Sequence, residues 1–292
     1  MNQKLFIKIY ETARNERYRF LFWGFTFGFV ISLSIKESMF LWVVFGAFLS
    51  VVFSIIYEFT IPWAKKIYLS AKLSKLLGPM FESRDECIIF ITEFKRDITE
   101  KSLQDYKGHY VVATSRLIGS GDAEALPYLY NLLLKARKPY DKIRLVRSFE
   151  NVNDYYTSNF ISIGGLTNRV TRSLMESHRD VFDYYFSKNG RAIIKKYDSY
   201  YKYIENSPRY DYGIITKVSN LNHQGRVIII VAGISDMGTA GAAFHLFDNC
   251  EKIVDEYGES DFSIVVQVSK EIGAKSAREF NFEKESRECV EE

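Results

Sequence analysis

Two apolar stretches dominate the start of the chain. Phe20–Ile35 and Met39–Tyr57 contain no charged side chain, and only three residues separate them. A helix that crosses a bilayer needs about 20 apolar residues, with about 17 as the lower limit. The first stretch reaches that length when the basic side chains at its ends extend to the interface. The pattern predicts a two-helix transmembrane hairpin over residues 20–61, with a hairpin buried in a large soluble core as the alternative.

Basic residues flank this hairpin on its two outer sides. The turn between the helices carries only Lys36, next to Glu37. The positive-inside rule therefore places both termini in the cytoplasm, including a basic N-terminal segment over residues 1–19. After Pro62, residues 62–78 form a basic amphipathic pattern that predicts a stalk or a helix on the anionic leaflet. Gly78-Pro79 ends this segment and marks the predicted domain boundary.

Small residues recur every four positions on both predicted membrane helices, and a carboxylate ends the second series. These residues are Gly24, Gly28 and Ser32 on the first helix, and Gly46, Ser50, Ser54 and Glu58 on the second. A stripe of small residues lets helix backbones approach closely, which favours packing within the hairpin or between copies. The second interpretation is a water-filled pore in an oligomer, with Glu58 as an acidic ring that favours cations.

From residue 79 onward, short β-branched runs alternate with helical patterns. Several runs are continuously apolar, as in Val227–Ala232, which is typical of strands buried on both faces of a parallel sheet. The pattern predicts a Rossmann-like, largely parallel α/β domain over residues 79–292, with antiparallel excursions within Phe182–Lys217. Predicted strands are Cys87–Phe94, His109–Ala113, Ile143–Ser148, Asn159–Ile163, Ala192–Lys196, Tyr212–Lys217, Val227–Ala232 and Ser263–Val268; predicted helices are Asp122–Ala136, Thr167–His178 and Thr239–Tyr257.

Three glycine-rich turns each lie between a predicted strand and a predicted helix. Glycines let a backbone approach a ligand, and free N–H groups at a helix start attract anions. The predicted ligand-binding residues are Gly119, Gly121, Asp122, Gly164, Gly165, Thr167, Asn168, Arg169, Gly233, Asp236, Gly238 and Thr239. Arg169 is the candidate phosphate partner, and Asp122 and Asp236 could bind a ribose hydroxyl or cap helices. No turn matches a dinucleotide or Walker fingerprint, so loops that serve the fold alone are the alternative.

Composition and charge narrow the kinds of function that the chain can have. The net charge of +3 does not indicate a dedicated nucleic-acid binder, and the three cysteines are far apart, which fits a reducing compartment. The histidines show no metal-ligand spacing, and neither a catalytic set nor a cofactor is expected. Lys195–Tyr212 interleaves six tyrosines with cations. This run predicts either an edge hairpin or a surface that stacks unpaired bases.

The organisation resembles that of membrane effectors in bacterial anti-phage nucleotide-signalling systems. The resemblance rests on the hairpin over residues 20–57 and on the order strand, GGLTN, strand, GISDMGT in the remainder. It implies location in the bacterial inner membrane, contact with lipid, and a nucleotide or oligonucleotide ligand from a nucleotidyltransferase encoded nearby. It also implies a homo-oligomer, a tetramer among the options, that conducts ions or disrupts the membrane. A membrane-tethered enzyme acting on a nucleotide or sugar-phosphate, and a scaffold, are the competing hypotheses.

Overall fold

The computed structural model describes residues 49, 60, 62–81, 85–95, 116–147, 157–196, 201–220, 223 and 225–282. The predicted hairpin lies outside these residues except for Leu49 and Thr60, which are both helical, and so does the predicted strand His109–Ala113. Within the described part of the chain, no helix combines the length and the apolar character that a membrane span requires. The chain divides into two compact units, Met1–Lys72 and Leu73–Glu292.

The second unit is a mixed α/β fold. Its strands are β1 (Cys87–Ile91), β2 (Glu93–Lys95), β3 (Arg116–Ile118), β4 (Ile143–Arg147), β5 (Asn159–Ile163), β6 (Tyr184–Phe186), β7 (Ala192–Lys196), β8 (Tyr201–Glu205), β9 (Tyr210–Ser219), β10 (Val227–Gly233), β11 (Phe262–Ser269) and β12 (Arg278–Glu279). Its helices are the end of α1 (62–77), which begins in the first unit, and α2 (Ser120–Lys135), α3 (Arg169–Ser177), α4 (Asp236–Asp248) and α5 (Cys250–Tyr257).

Seven strands form the central sheet in the order β12-β11-β9-β10-β5-β1-β4. Strands β4, β1, β5 and β10 are parallel neighbours, whereas β9 runs antiparallel to both β10 and β11. All residues of β1, β5 and β10 are buried, as expected for strands that are covered on both faces. The sequence-based prediction of an α/β fold with a mostly parallel sheet is therefore confirmed.

The two faces of the sheet are covered differently. On one face, alternate sheet residues such as Phe90, Phe160 and Ile230 join a core with Val170 of α3 and Ile193 of the small antiparallel sheet β6-β7-β8. On the other face, α4 packs against β9, β10 and β11, and α2 packs against α4. The small sheet and β9 account for the antiparallel excursions predicted within Phe182–Lys217.

One predicted helix was wrong in its extent. Thr239–Tyr257 was expected to be continuous, but Asn249 separates α4 from α5. The Asn249 amide lies 3.3 Å from Nδ1 of His245, one turn earlier in α4. Asparagine favours such local hydrogen bonds over the helix interior, and for that reason it commonly ends helices.

The end of α1 belongs to the core of the second unit. Leu73, Leu76, Leu77 and Met80 are fully buried, and the unit begins at Leu73, inside the segment predicted as a stalk. The Sγ atom of Cys87 at the start of β1 lies 4.0 Å from the sulfur of Met80. The last turn of α1 is thus an integral part of the α/β fold.

Candidate functional site at the carboxyl edge of the sheet

The three glycine-rich turns come together where β1, β5 and β10 end. We call this region the carboxyl edge. The Gly164 N–H donates to the Val231 carbonyl at 3.0 Å, and a side-chain carbon on Gly165 would lie 2.6 Å from the Gly233 carbonyl oxygen. A side-chain carbon on Gly121 would overlap with the backbone of Asp236. The juxtaposition that the sequence suggested is therefore present.

This edge includes a switch point in the strand order. The chain leaves β1 for β4 on one side of β1, and then continues to β5 on the other side. In open α/β sheets, ligands bind beyond the carboxyl ends of the strands at such points. The switch point lies between β1 and β5, so the turn after β5 is the glycine-rich turn next to it.

A buried carboxylate lies at the centre of the edge. Asp122 in the first turn of α2 is 5% exposed and accepts a hydrogen bond of 2.8 Å from the backbone N–H of Thr92, just after β1. Burial raises the pKa of Asp122 from 3.8 to about 6; hydrogen bonds from Thr92 lower this pKa and the charge of Asp236 raises it. Asp122 therefore ties α2 to the end of β1 and does not cap its own helix, whose N-cap is Gly119.

The N-terminus of α4 is occupied by a carboxylate of the protein itself. Asp211 at the start of β9 is fully buried and accepts hydrogen bonds from the Gly238 N–H at 2.6 Å and from the Ser235 hydroxyl. An anion at a helix N-terminus is favourable because the free N–H groups and the helix dipole attract it. Asp211 thus supplies an anion of the protein itself to the N-terminus of α4.

The glycines of the third turn serve close packing of backbones. Side-chain carbons on Gly233 and Gly238 would overlap with the α4 start and with the Tyr212 carbonyl, respectively. Thr239 is buried, and its N–H and hydroxyl both donate to the Ser235 carbonyl, at 3.2 and 3.3 Å. In this turn, Ser235 and Asp236 are the exposed polar side chains.

The start of α3 is likewise capped from within. The side-chain Oδ1 of Asn168 accepts from the Val170 N–H at 2.8 Å and from the Thr171 N–H at 3.4 Å. Its amide donates to the Ile163 carbonyl at 2.6 Å and to the Phe90 carbonyl at 3.4 Å. Asn168 is fully buried and fastens α3 to the ends of β1 and β5. Its side chain serves as the N-cap of α3.

The exposed residues of the edge carry both signs of charge. Ser120, Thr167, Arg169, Ser235 and Asp236 are exposed, and the Ser120 hydroxyl donates to the Asp236 carboxylate. Hydroxyl, guanidinium and carboxylate groups together suit a polar ligand that has both phosphate and hydroxyl groups. These five residues form what we call the polar rim.

Sequence reasoning missed a basic turn beside the rim. The turn between β6 and β7 carries Lys188 and Arg191, both exposed, and its Gly190 lies against Leu166 of the second glycine turn. Asn189 shapes this turn by accepting from the Ser187 hydroxyl at 2.7 Å and from the Arg191 N–H at 3.1 Å. The pattern of residues 187–191 is that of a hairpin turn, but only the tertiary fold brings it to the carboxyl edge.

The structure adds less about the predicted membrane stripe and the tyrosine-rich run. The seven residues of the predicted membrane stripe, from Gly24 to Glu58, lie outside the described residues. In the tyrosine-rich run, Tyr203 and Tyr210 are exposed, whereas Tyr212 is buried and its hydroxyl accepts from Gln267 at 3.0 Å. Among the described residues, no cluster of three or more histidine, cysteine or acidic side chains could hold a metal ion.

Comparisons with known proteins leave the chain without an assigned family. No family model matches the sequence, and a search of curated proteins finds no match.

Proposed function

We propose that the protein is a membrane effector whose Rossmann-like cytoplasmic domain binds a nucleotide or oligonucleotide at the carboxyl edge. The predicted hairpin over residues 20–61 would anchor it in the bacterial inner membrane and, in an oligomer, conduct ions or disrupt the bilayer. The observation that carries the proposal is the polar rim, whose exposed residues lie on the three turns that meet at the carboxyl edge of a mostly parallel sheet.

The chemistry of the rim supports a phosphorylated ligand. Arg169 is exposed in the first turn of α3, beside the exposed hydroxyl of Thr167. A guanidinium pairs with phosphate oxygens in a bidentate manner, and the basic β6–β7 turn adds positive charge nearby. The Asp236 carboxylate can accept hydrogen bonds from the hydroxyl groups of a ribose, and so can the Ser235 hydroxyl oxygen, whose own proton is donated to Asp211.

Ligand binding is tested with a panel of mononucleotides, cyclic dinucleotides and cyclic trinucleotides. The readout is the shift in thermal unfolding of the full chain in mild detergent. We expect one class to stabilise the protein, and Arg169→Ala to weaken that binding about tenfold or more, as loss of a charge-assisted pair does. Arg144→Ala is the matched control, because Arg144 is an exposed arginine near the start of β4, at the end of the sheet opposite the carboxyl edge. Equal nucleotide affinity of the two variants would exclude the polar rim as the binding site.

The membrane output needs a separate measurement. Protein reconstituted in vesicles should release a trapped cation when the stabilising nucleotide is added. Glu58→Gln should reduce cation preference, and Ser50→Leu should reduce the flux, because both residues belong to the predicted pore stripe. A monomer in detergent with and without nucleotide would contradict the pore, since two helices of one chain cannot enclose one.

Asp122 favours a second candidate, a membrane-tethered enzyme acting on a nucleotide or sugar-phosphate. A carboxyl group with a pKa of about 6 at a switch point is suited to general acid–base chemistry. This enzyme would turn over the bound nucleotide, and Asp122→Asn would abolish turnover while binding persists. Binding without turnover in the unaltered protein would favour the effector.

A further inference from the structure

Strand β9 carries two buried charges of opposite sign near its two ends. Asp211 is fully buried at the carboxyl edge, and Lys217 is 2% exposed at the opposite end. Both belong to the series Asp211, Gly213, Ile215 and Lys217, which points to the face of the sheet on which α4 packs. Buried charges are rare unless they are paired or hydrogen-bonded, so each of these two indicates a specific contact.

The two charges cap two different helices. Asp211 accepts from the Gly238 N–H and the Ser235 hydroxyl at the N-terminus of α4. The Lys217 ammonium donates to the Lys75 carbonyl at 3.2 Å, in the last turn of α1, and to the Glu259 carbonyl at 2.8 Å. Each sign suits the helix dipole: an anion at an N-terminus and a cation at a C-terminus. Burial lowers the pKa of Lys217, and the charges of Asp261 and Glu259 raise it.

The segment between these contacts has little freedom to deform. Residues 213–217 of β9 are paired with β10 on one side and with β11 on the other, and residues 211–218 are all buried. The six steps along the strand from Asp211 to Lys217 span about 20 Å. In a close-packed interior, a shift at one end of such a strand is not absorbed locally.

We infer that β9 couples the start of α4 at the carboxyl edge to the end of α1, with Asp211 and Lys217 as its two positioning residues. Displacement of the α4 N-terminus would move Asp211, then β9, and then the last turn of α1. Use of this coupling to transmit ligand binding rests on the proposed function, whereas the coupling itself needs no ligand. The two ideas can therefore fail separately.

Hydrogen–deuterium exchange of the full chain in mild detergent tests the coupling. Asp211→Asn should accelerate exchange of the amides of residues 73–77, and Lys217→Met should accelerate exchange at residues 238–241, each by about threefold or more. An effect in each direction is expected because both variants perturb the same strand, and each is measured at the helix end that the other residue contacts. Changes confined to the helix that each residue contacts would overturn the inference.

A matched control separates coupling from general loosening. Thr216→Val alters a buried residue of β9 on the opposite face, where its hydroxyl lies 2.7 Å from that of Ser263. It should leave both helix ends unchanged, and α3 should exchange normally in every variant. The same acceleration in Thr216→Val would overturn the inference. If Asp211→Asn does not fold, Ser235→Ala takes its place. It removes one hydrogen bond to Asp211 from an exposed position and should accelerate exchange at residues 73–77 to a smaller extent.

Discussion

Removal of the last turn of α1 should unfold the α/β unit. A fragment that begins at Pro79 lacks Leu73, Leu76 and Leu77, which are all fully buried. Burial of a leucine side chain contributes about 1.5–3 kcal/mol, so the three contribute about 5–9 kcal/mol. Domains of this kind are stable by about 5–15 kcal/mol in total. The fragment also removes the Lys75 carbonyl, which leaves the buried Lys217 ammonium with one fewer acceptor.

The comparison is a fragment that begins at Pro62 and retains α1. We expect cooperative thermal unfolding for the Pro62 fragment, and aggregation or a non-cooperative transition for the Pro79 fragment. Point variants refine the test: Leu76→Ala should cost about 2–5 kcal/mol. Leu134→Ala, at a leucine that is 43% exposed on α2, should cost little. A Pro79 fragment that melts within a few degrees of the longer one would refute the assignment of α1 to the core.

Three further substitutions test the carboxyl edge by thermal unfolding, and Gly225→Ala serves as a control for one of them. Because the pKa of Asp122 is about 6 when folded and near 3.8 otherwise, folding favours its protonated form. Stability should therefore fall by about 2 kcal/mol as pH rises from 4 to 6, and Asp122→Asn should remove that fall. Gly164→Ala should cost more than Gly225→Ala, since both have positive φ but only the former would contact Thr92 and Asp122. Gly238→Ala should cost about 1–3 kcal/mol through overlap with a strand carbonyl. Equal stability of the two alanine variants at 164 and 225, or an unchanged pH profile in Asp122→Asn, would contradict these contacts.

Local pattern was sufficient to predict most of the sheet. Asn159–Ile163 and Ala192–Lys196 agree with the structure residue for residue, because each is a short segment rich in apolar residues between turn residues. The short strands β3 and β12 were missed, since pairing in the tertiary fold defines them more than their own composition. Strand β2 was predicted as the end of one strand, Cys87–Phe94, which the structure divides at Thr92. Strands β6 and β8 were expected only as antiparallel excursions without bounds. Asn249 ended a helix that periodicity alone would have continued.

The sequence predicted where the candidate site lies, but not which side chains form its internal hydrogen bonds. The turns were expected to meet because carboxyl ends of parallel strands share an edge. Pattern could not show that Asp211, some 25 residues before the third turn, would cap α4. The available signals were single charges in otherwise apolar strands: Asp211 and Lys217 flank the apolar segment of β9. A charge in a strand of a buried sheet indicates a contact with another element, although it does not identify that element.

The glycines that first suggested a ligand are poor residues with which to test for one. Gly121, Gly165 and Gly238 each lie against a neighbouring backbone, so a side chain there disturbs packing whether or not a ligand binds. Loss of binding in such variants would not separate recognition from misfolding. Arg169 and Asp236 are exposed, so their substitution leaves the core intact. A binding defect in these two variants, with unchanged thermal stability of the ligand-free protein, is evidence for recognition by the polar rim.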